Sequence, residues 1–147
     1  MDAVTIACAC AEAAWSNDQA VRNLEIQLVS VSPGHAVASM IVTEAMLNGY
    51  EFCHGGFIFA LADVAFAVAC NTYNQRTVSQ HCDIAFINPA RRGDHLLARA
   101  SERSRAGRSG IYDVTVTCGQ THPIAEFRGH SRTIGGEIIT GPKNREA

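Results

Sequence analysis

The sequence predicts an α+β domain in which an antiparallel β-sheet wraps around one long buried helix. The run from Phe57 to Cys70 is apolar on every side except at Asp63, and a helix of this kind must be buried all round. Residues 109–118 and 123–134 instead alternate between apolar and polar side chains, as strands with one covered face do. A sheet folded around the helix satisfies both demands for burial.

A helix and a β-hairpin are predicted ahead of the central helix. Residues 1–22 are rich in alanine and predict a helix, which the turn-forming residues 16–18 interrupt. The alternation of residues 24–31 changes phase once, which indicates a strand with a bulge or bend. Pro33-Gly34 is a turn, and residues 35–46 favour a second strand.

Four further strands are predicted after the central helix, which ends at Asn71. They cover residues 77–87, 94–105, 109–118 and 123–134. The short connections between them imply that these four strands are antiparallel neighbours. The Gly-, Pro- and charge-rich residues 135–147 predict a frayed tail. The whole chain, 1–147, has the length of a single domain.

Composition argues against several classes of partner. The formal net charge of -2 argues against nucleic-acid binding. The longest apolar run is shorter than the roughly 20 residues that a membrane helix needs, so we expect no membrane partner. The six cysteines form no Cys-x-x-Cys pair and no secretory signal is recognisable. We therefore expect reduced thiols in a cytoplasmic protein, with neither a metal nor a cofactor.

Asp63 is the first candidate for a catalytic residue. It is the only charged side chain of the apolar central helix. An unpaired carboxylate is costly to bury, so such a group is paired, shifted in pKa or exposed to a cavity. A structural aspartate held by a backbone N–H or an arginine fits the sequence equally well at this point.

The start of the same helix offers a site for a developing negative charge. His54-Gly55-Gly56 places two residues without side chains where the first N–H groups of the helix have no internal partner. The positive end of the helix dipole lies there too, so a thioester carbonyl oxygen would be stabilised at Gly55 and Gly56. A tightly packed glycine loop is the alternative.

Asn48 and His54 flank this helix start. The amide of Asn48 would orient a water, a carbonyl or the ring of His54, although Asn48-Gly49 is also an ordinary turn sequence. His54 would cap the helix or bond to Asn48.

The spacing between the two candidate groups constrains the site. Gly56 and Asp63 are seven residues apart and share a helix face, yet they lie about 10 Å apart along the axis. One carbonyl group cannot reach both in the same chain. If both act in one site, the helix start must come from one protomer and the carboxylate from its partner, which gives a two-fold dimer two equivalent sites.

Arginines supply candidate contacts for phosphate. Nine of them fall between Arg76 and Arg132, and the planar guanidinium suits phosphate oxygens. Arg91 lies in a predicted loop, and Arg108-Ser109-Gly110 lies at a predicted turn. A solvated surface remains the alternative for this group of arginines.

Several motifs together resemble a known family. The run Leu47-Asn48-Gly49-Tyr50-Glu51-Phe52-Cys53-His54-Gly55-Gly56, followed by Leu61-Ala62-Asp63, is similar to hotdog-fold thioesterases of the phenylacetic acid degradation (PaaI-like) type. The resemblance continues through residues 67–71, 86–89, 93–94, 107–113, 127–131 and 134–136.

This resemblance implies a hotdog fold and hydrolysis of acyl-CoA, including aryl and hydroxyphenylacetyl-CoA. It implies that Asp63 acts as general base or nucleophile, that Gly55 and Gly56 polarise the carbonyl, and that Asn48 and His54 support the site. It further implies that Ser79 of the partner chain lines the pocket, and that homodimers form a homotetramer.

Two other functions remain open. A hotdog acyl-CoA hydratase or dehydratase would need a histidine paired with a carboxylate, and His54 and Asp63 supply those residue types. A non-catalytic acyl-CoA binding module would share the fold but would have no use for a lone carboxylate in the helix. An Asp63 that is salt-bridged and remote from any pocket would favour the binding module.

Overall fold

The computed structural model describes residues 1–140. Its helices and strands follow one another in this order: α1 (Ala3–Trp15), α2 (Gln19–Asn23), β1 (Gln27–Ser32), β2 (His35–Ile41), α3 (Gly55–Cys70), β3 (Thr77–Phe86), β4 (His95–Ala106), β5 (Ser109–Cys118) and β6 (His122–Thr133). No helix in this part of the chain is long and apolar enough to cross a membrane. All six cysteines are free thiols.

One antiparallel sheet holds the six strands, in the order β1-β2-β4-β5-β6-β3. The helix α3 packs across its concave face, where Leu61, Ala62, Ala65 and Phe66 have no exposed surface. This is the hotdog arrangement, and it confirms the predicted wrapping of a sheet around a central helix. The phase change predicted in the first strand is a bulge between Leu28 and Ser30.

The prediction that the last four strands are sequential neighbours is wrong for β3. This strand pairs with β6 rather than with β4, so it forms an edge of the sheet. Residues 87–94 connect β3 to β4. A connection of that length can reach about 25 Å when extended, well beyond the about 14 Å of three strand spacings.

The interruption predicted at residues 16–18 is confirmed, because α1 ends at Trp15 and Asp18 caps α2 by accepting the N–H of Val21 at 3.1 Å. Two further sequence predictions differ from the structure. The strand predicted for residues 35–46 ends at Ile41, and Glu44–Met46 form a 3-10 turn. Part of the predicted frayed tail is held in place, because the Asn74 side chain accepts the N–H groups of Ile138 and Ile139. Residues 141–147 of that tail lie outside the described residues.

The prediction that the central helix is buried all round is also wrong within one chain. The sheet covers only one side of α3, whose buried residues are Ile58, Leu61, Ala62, Ala65, Phe66, Val68, Ala69 and Cys70. We call the partly or fully exposed residues Gly56, Ala60, Asp63 and Ala67 the open stripe of α3. Because the residues around Asp63 on this stripe are small or apolar, the stripe is a surface that a second apolar surface can cover.

The core beneath α3 is built around Phe66. Its ring lies 5.6 Å from the Tyr112 ring and 5.8 Å from the Phe127 ring, measured between centroids. Gly129 on β6 faces the same ring so closely that an added Cβ would lie 2.7 Å from it. Only glycine at this position lets the sheet approach the helix.

Substituting Gly129→Ala is therefore expected to destabilise the fold by about 1–3 kcal/mol, because the new methyl group overpacks the Phe66 pocket. Gly49→Ala is the control, since a Cβ at Gly49 meets no atom within 4 Å. Urea unfolding of both variants measures the difference. Equal midpoints for the two would contradict this account of the core.

Candidate active site

Asp63 lies in the middle of α3, on the open stripe. The side chain is half-buried, and it forms no hydrogen bond or ion pair within residues 1–140. Burial raises the pKa of its carboxyl above the ordinary value. Asp63 also lines a partly open cavity of about 150 Å³, together with residues from the end of α1, the start of α2 and α3. Asp63 is thus an unpaired acid that faces a space for a ligand, and not the structural aspartate that the sequence also allowed.

Gly55 and Gly56 form the first turn of α3. Their N–H groups donate to no acceptor in the described structure, as expected for the first residues of a helix. A Cβ on Gly55 would lie 2.7 Å from the Phe86 ring, whereas Gly56 faces open space. A cleft of about 370 Å³ opens beside Gly55, lined in part by Phe52, Phe86 and Asn88. The helix start is therefore accessible to a carbonyl oxygen.

His54 precedes this turn. The sequence suggested that His54 would cap the helix or bond to Asn48, and its ring does neither. The backbone N–H donates to the carbonyl of Met46 at 2.8 Å, which ties the helix start to the preceding loop. The exposed side chain makes no capping hydrogen bond and no bond to Asn48. His54 positions the turn through its backbone.

Asn48 organises the loop in front of α3. Its side-chain oxygen accepts the N–H groups of Tyr50 at 2.9 Å and Phe52 at 3.1 Å. This bonding shapes the tight turn around Glu51, whose φ is 65°. The side-chain oxygen of Asn48 thus has the turn-forming role expected of an Asn-Gly sequence. The side-chain NH₂ group of Asn48 has no acceptor among residues 1–140.

One chain does not bring the two halves of the predicted site together. Gly56 lies at the start of α3 and Asp63 two turns later, about 10 Å along the axis. Both lie on the open stripe, so a second copy that covers the stripe would meet both groups.

Ser79 lies on the edge strand β3. Its hydroxyl is 3.0 Å from the thiol of Cys82. Burial raises the pKa of that thiol, the contact with Ser79 lowers it, and the negative charge of Asp63 raises it. A bulge between Ser79 and His81 interrupts the pairing with β6 here.

The predicted phosphate contacts fall at opposite ends of the molecule. Arg91 lies near the start of α3, where its guanidinium stacks 4.8 Å above the Phe52 ring. Arg108 and Ser109 lie near Cys70 at the other end of that helix. Gly110 has a packing role, because a Cβ there would lie 2.6 Å from the Ser131 hydroxyl. Within one chain, Arg91 alone is close to the Gly55–Gly56 turn.

Two residues that line the Asp63 cavity were missed by the sequence analysis. Trp15 and Asp18 close it from the N-terminal side. The available signals were the single tryptophan of the chain and the turn-forming residues 16–18 that follow it.

Comparison with known proteins assigns the family. The model described as "Thioesterase superfamily" matches residues 50–125, more than half of the chain. Acyl-coenzyme A thioesterase PaaI of Escherichia coli is 43% identical over 87% of this chain and 91% of its own length. The structure of the E. coli PaaI protein superposes with a TM-score of 0.91, covering 92% of this chain and 99% of that one.

Two further solved structures are similar. A single-site mutant of phenylacetic acid degradation protein PaaI from Thermus thermophilus is 32% identical, with a TM-score of 0.76 over 80% of this chain and all of that one. A Streptococcus mutans protein bound to acetyl CoA is 26% identical, with a TM-score of 0.73 over 76% of this chain and 90% of that one. The present chain therefore belongs to the thioesterase superfamily and has its hotdog fold.

Proposed function

We propose that this protein hydrolyses acyl-CoA thioesters to a free acid and CoA, with Asp63 as the catalytic carboxylate. The observation that carries the proposal is the unpaired, half-buried Asp63 carboxylate at the wall of a cavity. The relatives support it, since the E. coli protein is named an acyl-CoA thioesterase and the S. mutans structure holds acetyl CoA. The names of the E. coli and T. thermophilus structures refer to phenylacetic acid degradation, so we propose aryl acyl groups of the hydroxyphenylacetyl type.

The reaction divides between the start of α3 and Asp63 in the middle of that helix. The free N–H groups at Gly55 and Gly56 donate to the thioester oxygen as it gains negative charge. The Asp63 carboxylate takes a proton from a water whose oxygen bonds to the carbonyl carbon, or it attacks that carbon itself. The C–S bond then breaks, and the CoA sulfur leaves as a thiolate and gains a proton. In the second route, water hydrolyses the resulting anhydride and releases the acid.

If the helix start and Asp63 act in one site, the roughly 10 Å between them means that two chains contribute to it. We propose a homodimer in which the open stripe of one protomer meets that of its partner, and in which the edge strand β3 pairs across the two-fold axis. This strand leaves one row of backbone N–H and C=O groups unpaired, and Val78 and Phe86 are 44% and 52% exposed at its two ends. Two dimers then form the homotetramer. Ser79 of β3 would line the partner's site.

Substrate contacts follow from the same dimer. Arg91 lies beside the helix start that receives the carbonyl, whereas Arg108, Ser109 and Gly110 lie near the far end of α3. An antiparallel pairing of two protomers brings the far end of one helix towards the start of the other. Both groups would then meet the phosphates of one CoA. Six free thiols suit the reducing cytoplasm, where we place the enzyme.

The alternatives receive less support from the geometry. A salt-bridged Asp63 remote from any pocket would have favoured a binding module. Instead, Asp63 forms no ion pair within residues 1–140 and lines a cavity. A hydratase needs a histidine held against its carboxylate, but the exposed His54 ring is fixed by no side-chain cap hydrogen bond at the helix start.

Substituting Asp63→Asn is expected to lower kcat for phenylacetyl-CoA by about 10²–10⁴-fold, because the amide can neither accept the proton of the water nor attack. Release of free CoA thiol measures this loss. Asp2→Asn is the matched control, since Asp2 caps α1 at the surface and asparagine caps equally well. Full activity in Asp63→Asn would remove Asp63 from the mechanism.

The same substitution is expected to stabilise the protein at neutral pH. Burial raises the pKa of Asp63, so the protonated form favours the folded state, and this stability is lost as pH rises through the raised value. The unfolding midpoint of Asp63→Asn should therefore exceed that of wild type near pH 8, and the gap should close towards about pH 4. A lower midpoint for the variant at neutral pH would mean that the carboxylate has a stabilising partner.

A mixture of two inactive variants tests the shared site. Gly56→Pro removes the N–H group at a helix position where proline is tolerated, and Asp63→Asn removes the carboxylate. Each hybrid dimer would contain one site with both groups intact, so a randomly reassociated equal mixture should regain about one quarter of wild-type activity. Each variant reassociated alone serves as the control. No recovery in a mixture that forms hybrids would place both groups in the same chain.

A further inference from the structure

The cavity at Asp63 is small and has a defined wall. Its volume is about 150 Å³, and the apolar side chains Trp15, Val64 and Val68 line it together with Asp63 and Asp18. A volume of this size is enough for a single ring or a short branched chain beside the carboxylate, and Trp15 bounds the space on the side of α1.

Trp15 separates this cavity from two larger hollows. The indole also lines a groove of about 480 Å³ that runs beside Ile26 and Met40. On another side it lines an apolar groove of about 410 Å³ beside Leu28 and Val31. The Trp15 side chain thus lies between the cavity at Asp63 and both of these grooves.

The fold holds this wall in place. Trp15 is the last residue of α1, and its carbonyl accepts the N–H of Asp18 at 3.2 Å in the turn that follows. The helix itself is anchored by Ala7, Cys10 and Ala11, which are buried. The half-buried indole also packs against the main core.

We infer that Trp15 is the specificity-determining residue of this enzyme and limits the acyl group to a compact one of single-ring size. The inference rests on the proposed thioesterase function and assigns its acyl pocket to the cavity between α1, α2 and α3. Asp18 and Asp63 both line that cavity, so two carboxylates repel a negatively charged acyl group. The substrate is therefore an acyl-CoA with a compact, uncharged acyl group.

Chain-length preference tests this role. Replacing Trp15→Ala joins the cavity to its neighbours, so the ratio of kcat/KM for octanoyl-CoA over phenylacetyl-CoA should rise about tenfold or more. Trp15→Phe, which keeps a ring, should stay close to wild type. Ile6→Ala is the matched control, because Ile6 lies on the same helix and lines none of the three spaces. An unchanged ratio in Trp15→Ala would overturn the inference.

Fluorescence gives a second readout that does not depend on turnover, because Trp15 is the only tryptophan of the chain. In the Asp63→Asn background, phenylacetyl-CoA should change the emission, and free CoA should not. No response, or an equal response to free CoA, would place the acyl group elsewhere. The two experiments together separate the two proposals. If wild type hydrolyses thioesters but Trp15→Ala leaves the kcat/KM ratio unchanged and the fluorescence does not respond, only the role of Trp15 is overturned. If wild type hydrolyses no thioester but the fluorescence still responds, the hydrolase proposal is overturned and Trp15 remains the wall of an acyl-binding cavity.

Discussion

The site depends on the one-sided cover that the sheet gives to α3. A helix made almost wholly of apolar residues seeks burial on all sides, but a single six-stranded sheet reaches only the side that holds Leu61, Ala65 and Phe66. The uncovered side retains Asp63, whose half-burial raises the pKa of its carboxyl. In the proposed enzyme, exposure of this stripe gives a substrate access to the carboxylate and leaves a surface for a second chain.

Periodicity predicted most of the fold, because strand and helix patterns are local properties of the sequence. The clean alternation of β5 and β6 gave their positions within a residue or two, and the apolar run located α3. The position of β3 at the sheet edge was not predictable in the same way. Strand order depends on where residues 87–94 cross the molecule, and a connection of that length permits more than one neighbour.

Chemistry indicated candidate residues but not their surroundings. A single acid in an apolar helix indicated Asp63 as a candidate, and paired glycines indicated the helix start, where α3 begins. The contacts of His54 and Asn48 depend on side-chain orientation, which sequence spacing alone does not determine. The His54 side chain is exposed, and the side-chain oxygen of Asn48 shapes a turn. Trp15 was missed because its contact with the Asp63 cavity is tertiary, made across a long sequence separation.

The unpaired edge of β3 has a consequence for the newly made chain. An exposed strand edge of this length is a template for any extended segment that reaches it, and therefore a starting point for aggregation. Charged or bulged edges resist such pairing, and the bulge after Ser79 interrupts this one near its middle. In the proposed dimer, correct pairing of β3 would thus compete with misassembly from the moment β3 and β6 have paired. The outcome would depend on how quickly a second chain arrives, and so on the rate at which the cell synthesises the protein.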